Sequence, residues 1–185
     1  MAEAKIKATP VNGVVQFIEQ ELTLEELEEL KSRFSPEELR YFTGRVIASE
    51  EIPIDPVNRF TRGAAEIKGE SVESFGRRAG RYGARLGMKT VYKFLMFVMS
   101  VETILQKAET IFGRVYDTGN FKVDAEEKSA VCHLTDFPST EVGCARLSGW
   151  MEEIGEAAGA KNIAVQHVSC MAKGGGECRW ELAWQ

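Results

Sequence analysis

At Gly119 the apolar pattern changes its period from three or four residues to two, so the chain is read as helices followed by antiparallel strands. Upstream, Val14, Phe17, Ile18, Leu22, Leu24, Leu27 and Leu30 recur mostly at helical steps and describe one or two amphipathic helices. Ser35-Pro36-Glu37-Glu38 restarts a helix, because Ser35 can cap it, Pro36 suits the first helical position and Glu38 closes a capping box. Ile52-Pro53-Ile54 is a hinge, and Asp55-Pro56 reads as cap and first turn of a helix through Lys68. Downstream, Phe121, Val123, Ala130, Cys132 and Leu134 alternate with wetter positions, placing Cys132 with the apolar set and His133 opposite. A helix over 139–158 carries Leu147, Trp150, Met151 and Ile154 on one face. Strands over 162–172 and 177–184 then flank Lys173-Gly174-Gly175-Gly176 as a hairpin. The expected class is α+β, with helices packed against an antiparallel sheet and a C-terminal β-hairpin. The division expected is 1–45 as a helical segment and 46–185 as a ligand-binding domain.

The balance of 23 basic and 28 acidic residues leaves a net charge of −5, which excludes a global attraction to nucleic acid. Lys93 and Glu102 bracket the apolar run 94–101, far short of the roughly 20 residues that cross a bilayer, so no membrane span is expected. The opening residues lack the apolar block of a secretory signal, which points to the cytoplasm and to reduced thiols.

Three segments bear on partners. Glutamates at 19, 21, 25, 26, 28, 29, 37 and 38 make an acidic face, read as solvated in preference to a docking surface. Residues 71–87 combine Gly76, Gly80, Gly83 and Gly87 with Arg77, Arg78, Arg81 and Arg85. Each interior glycine costs a helix about 1 kcal/mol relative to alanine, so the glycines imply close approach to another helix or subunit. The arginines are expected to form a solvated face paired with the acidic N-terminal helices, in preference to an anion or acidic-partner site. The stretch 90–112 is apolar nearly all round, and between it and the sheet Phe94, Phe97, Trp150 and Met151 are candidates to line a small-molecule pocket; ordinary core is the alternative.

Four cysteines remain: Cys132, Cys144, Cys170 and Cys178. A hairpin turning about Gly174 sets Cys170 opposite Cys178 with Cβ atoms roughly 4.5–5.5 Å apart. That spacing suits two thiolates on one metal, and adding Cys144 and His167 makes a Cys₃His set for zinc. His167 and Cys170 are three apart and face opposite ways on a regular strand, so a bulge near Val168-Ser169 is required. The competing readings are buried hydrophobic cysteines, or a Cys170/Cys178 redox dithiol, which needs an accessible thiolate although Val168, Met171 and Trp180 shelter the pair. Neither histidine stands beside a nucleophile and an acid, so no enzyme is nominated.

The run Gly143-Cys144-Ala145-Arg146-Leu147-Ser148-Gly149-Trp150, with His167-Val168-Ser169-Cys170 and Gly174-Gly175-Gly176-Glu177-Cys178-Arg179-Trp180, resembles the end of the four-vinyl-reductase-like domain. Its superfamily includes heme-NO-binding domains and Golgi tethering subunits. Ala48-Ser49-Glu50-Glu51-Ile52-Pro53, Gly76-Arg77-Arg78-Ala79-Gly80 and Val115-Tyr116-Asp117-Thr118-Gly119 resemble an uncharacterised myxobacterial family with this fold. The resemblance implies a dimerising α+β domain able to enclose a small molecule. In its aromatic-sensing regulators three cysteines and an acidic residue hold zinc; Cys144, Cys170 and Cys178 fall on the cysteine positions and His167 on the acidic one. Heme-binding relatives use a histidine on a helix, whereas His133 and His167 fall in expected strands, so heme is not expected. The combined expectation is a cytoplasmic, non-enzymatic sensor of an apolar small molecule, homodimeric, with structural zinc. The alternative is a protein-interaction or dimerisation module acting through the acidic helices or the Gly/Arg segment.

Overall fold

The structure is a computed structural model that describes residues 3–44, 46–88 and 101–185. Strand β1 (Lys5–Lys7) pairs antiparallel with β2 (Glu51–Pro53), and Ile6 opposite Ile52 is buried. Helix α1 (Ala8–Glu21) follows, then α2 (Leu24–Ser32) and α3 (Pro36–Leu39). Thr23 with Glu26, and Ser35 with Glu38, close two capping boxes that satisfy N-terminal amides otherwise left without partners. Helix α4 (Ile54–Ile67) begins just ahead of Asp55, and α5 (Val72–Gly87) is capped by Ser71. Helix α6 (Val101–Val115) is the described part of the apolar stretch; Phe94 and Phe97 lie outside the described residues.

The sheet has strands β3 (Asn120–Ala125), β4 (Ser129–Thr135), β5 (Ala164–Ser169) and β6 (Cys178–Ala183) in the order β3-β4-β6-β5, every neighbour antiparallel. The α+β class and the C-terminal hairpin stand as expected. Burial alternates along β4, with Ala130, Cys132 and Leu134 inward. Helix α7 (Glu141–Ala157), capped by Thr140, covers that inner face. It is tied to the sheet where Trp180 Nε1 donates to Ser148 Oγ at 2.9 Å. One apolar core runs from Ala4 to Ala79; a second runs from Val101 to Trp184, and Tyr116 and Phe137 pack against both. No helix among the described residues is long and apolar enough to cross a membrane.

The glycines of α5 do permit close approach, and the neighbour is α7. An ideal Cβ at Gly76 would stand 2.7 Å from Ala145 Cβ, and one at Gly80 would stand 2.0 Å from the Arg146 carbonyl oxygen. The expected partners of the arginines are corrected here. Arg77, Arg81 and Arg85, four residues apart beside the glycine stripe, reach Glu152, Glu153 and Glu156 of α7, and Arg85 Nε lies 2.7 Å from Glu153. Arg78 alone of the four turns the other way, to Glu21 at 2.7 Å. Steric contact at the glycines chose the partner helix, and the charges followed. At Gly76 and Gly80 the Gly/Arg segment is therefore filled by α7 within the chain.

Candidate metal centre and apolar cleft

Three elements bring four ligating side chains together. Cys144 lies in the first turns of α7, His167 on β5, Cys170 just beyond β5, and Cys178 opens β6. The strand pairing sets His167 opposite Trp180, then shifts so that Ser169 meets Arg179. This irregularity at Val168 is the bulge the spacing requires, and it lets His167 and Cys170 converge despite their odd separation. Their ligand atoms, with those of Cys144 and Cys178, all lie within 4.8 Å of one another. Cys144 Sγ is 3.5 Å from Cys178 Sγ and 4.0 Å from Cys170 Sγ. Two bonds of about 2.3 Å at a tetrahedral angle would separate sulfurs by about 3.8 Å, between those two values.

The electrostatics suit a cation. His167 stacks on Trp180 with ring centroids 4.6 Å apart, and its Nε2 is buried without a hydrogen-bond partner. The hydrogen bond with Cys144 holds the Cys178 thiol well below its ordinary value, and contacts to His167, Ser139 Oγ and the donating Met171 N–H add to this against the cost of burial. That same hydrogen bond and its own burial push Cys144 up. A metal here would have four protein ligands, the closed arrangement of a structural site, and would supply a cross-link between α7 and the hairpin with no open coordination position.

Cys132 stands apart. It is buried on β4, and desolvation, with Asp124 adding, raises its pKa to about 12. His133 occupies the wetter face as expected, with Nδ1 3.1 Å from Glu177. Cys132 joins Leu105, Ile104, Trp150, Met151 and Ile154 in lining a cleft between α6, α7 and the sheet. Trp150 and Met151 both border this cleft. The enclosed cavity is about 10 Å³, the room of a single water. Sequence reasoning missed Cys132 as a cleft residue, although its alternation with Ala130 and Leu134 already pointed it inward. It also missed Glu152, Glu153 and Glu156 of α7 as the partners of the arginines.

No family model matches the chain, and no curated protein sequence matches it. Solved structures do. An H-NOX protein from S. oneidensis in its Fe(II)NO ligation state is similar at TM-score 0.75 and 11% identity, over 97% of this chain and 99% of that one. An oxygen-binding H-NOX domain related to soluble guanylate cyclases is similar at 0.71 and 13%, over 97% and 95%. The fold is that of the H-NOX domains. A further structure with it, described by modulation of heme redox potential through porphyrin distortion, is similar at 0.68 and 14%, over 97% and 100%.

The H-NOX fold corrects the expectation that excluded heme. That exclusion rested on the strand positions of His133 and His167, and a fold shared along nearly the whole chain with heme proteins removes its ground. Cys132, whose thiol burial pushes up, and the Met151 thioether border the cleft. Between its described walls the cleft leaves about 10 Å³, less than a porphyrin occupies.

Proposed function

We propose that the protein is a non-enzymatic, cytoplasmic sensor that takes a small molecule into the cleft between α6, α7 and the sheet, with zinc fastening Cys144, His167, Cys170 and Cys178. The observation that carries this reading is the likeness of 97% of the chain to domains described as holding nitric oxide or oxygen. The C-terminal motif favours the four-vinyl-reductase-like branch of that fold. Helix α7 is the mechanical centre. It carries Cys144 towards the metal cluster, Trp150 and Met151 in the cleft wall, and Glu152, Glu153 and Glu156 against the arginines of α5. A molecule that parts the cleft acts on a helix already fixed to the hairpin, so its displacement passes to α5 and the N-terminal core. The protein works in this reading as a homodimer.

The test is purification from cells supplied with a heme precursor, reading the Soret band and its shift with nitric oxide. Thermal-shift measurements with a panel of apolar small molecules run alongside. Binding of heme or of a panel member supports the sensor; binding of neither overturns it. Elemental analysis of protein purified without chelator or affinity metal is expected to give about one zinc per chain, with thiols protected until chelation. No metal and four titratable thiols would overturn the zinc assignment.

A further inference from the structure

Arg146, on the second turn of α7, is 7% exposed, and its Nη1 is buried without a hydrogen-bond partner. No ion pair reaches its guanidinium among the described residues. Asn58 of α4 is 4% exposed and its Oδ1 is likewise buried without a partner. Gly143, one turn before Arg146 on α7, meets Asn58. An ideal Cβ at Gly143 would lie 3.6 Å from Asn58 Oδ1 and 3.8 Å from Nδ2, and 143 and 146 share a helix face. A long helical side chain leans back over the preceding turn, which carries Arg146 towards Asn58. Helix α5 closes the third side, with Gly80 against the Arg146 backbone.

A guanidinium does not shed its proton in a protein, so burial leaves a full charge in need of a counter-charge. Residues 89–100 contain no Asp or Glu and supply none. We propose that Arg146 and Asn58 form a buried carboxylate-binding site where α4, α5 and α7 meet. The guanidinium fork matches two carboxylate oxygens in parallel hydrogen bonds, and the Asn58 amide, turned to present its NH₂, donates a further one. One fixed positive charge with one neutral amide balances a single negative charge, which favours a carboxylate over a phosphate dianion. Arg146 precedes Trp150 of the cleft wall by one helical turn. The inference rests on the sensor reading and deepens it: the sensed molecule is an organic acid whose apolar part extends towards the cleft.

The test is thermal unfolding of the full chain with acetate, butyrate and octanoate, against butanol, octanol and sodium chloride at matched ionic strength. At about a hundred times Kd a carboxylate is expected to raise Tm by about 5–10 °C, with chloride and the alcohols well behind. Arg146→Met removes an unpaired buried charge, so it is expected to melt higher than the parent without ligand and to lose the carboxylate shift. Arg146→Lys keeps the charge without the fork and is expected to bind about tenfold more weakly. A gain from acetate to octanoate supports the link to the cleft. Octanol matching octanoate would overturn the carboxylate site while leaving the sensor cleft standing, whereas no shift with any organic probe would count against both. Equal shifts with chloride, or a shift retained in Arg146→Met, would also overturn the site.

Discussion

Gly149 of α7 meets the backbone of Arg77 so closely that a Cβ added there would stand 2.0 Å from the Arg77 carbonyl oxygen. Gly80 stands in the same relation to Arg146, so α5 and α7 touch backbone to backbone at two reciprocal points. The arginine and glutamate pairs flank this contact, which joins the N-terminal core to the sheet.

Gly149→Ala is expected to destabilise the protein by about 3 kcal/mol, because helix backbone cannot yield as a side-chain tip can. Gly83→Ala, where nothing lies within 4 Å of the new methyl group, is expected to stabilise by about 0.5–1 kcal/mol through helix propensity. Denaturant unfolding of both variants measures the contrast, and equal effects would contradict the close-approach reading.

Glu153 side-chain exposure is 11% where it faces Arg81 at 3.2 Å and Arg85 at 2.7 Å. Glu153→Ala leaves two cations without their shared partner and is expected to cost about 2 kcal/mol, below the fully buried case because the arginines keep some water. Glu156→Ala, at a more exposed position, is expected to cost no more than about 0.5 kcal/mol. Chemical unfolding compares the two.

Chelation is expected to lower Tm and expose three thiols together. A metal held a thousandfold above its Kd contributes about 4 kcal/mol, or about 8–16 °C in a domain of this size. Cys178→Ser is expected to lose metal and hairpin order together, since binding free energy at such a site is folding free energy. Calorimetry with and without chelator reads the shift, and an unchanged melting temperature would contradict the metal cluster.

Acid sensitivity is expected from the capping boxes. The Ser35 backbone N–H, with Arg59 adding, holds the Glu38 carboxyl below its ordinary value, and the Thr23 N–H does the same for Glu26. A depressed folded-state pKa stabilises above the unfolded value of about 4.3, and the benefit is lost as pH falls through the folded value. Melting temperature is expected to drop across that acidic window, more gently in a Glu26→Gln/Glu38→Gln variant. Identical pH profiles would contradict it.

Much of the candidate site was legible because its signals are local. The alternation of Ala130, Cys132 and Leu134 set the face of β4, and the His167 and Cys170 spacing demanded the bulge found at Val168. The exclusion of heme rested on a histidine rule that speaks of one ligand type, while the fold shared with heme proteins is spread over the chain. The isolation of Arg146 was not legible at all, since a buried arginine and a solvated one look alike in a string of letters.

The sequence by itself determined the helix-to-strand change at Gly119, the cap at Ser35, and the inward side of β4, because these depend on neighbours within about four residues. Tertiary structure decided which acidic helix the arginines would meet. Charge attracts without direction, and the choice fell to contacts between distant residues, where Gly80 and Gly149 let two backbones touch and Arg77 Nη2 reaches the Val165 carbonyl 88 positions away.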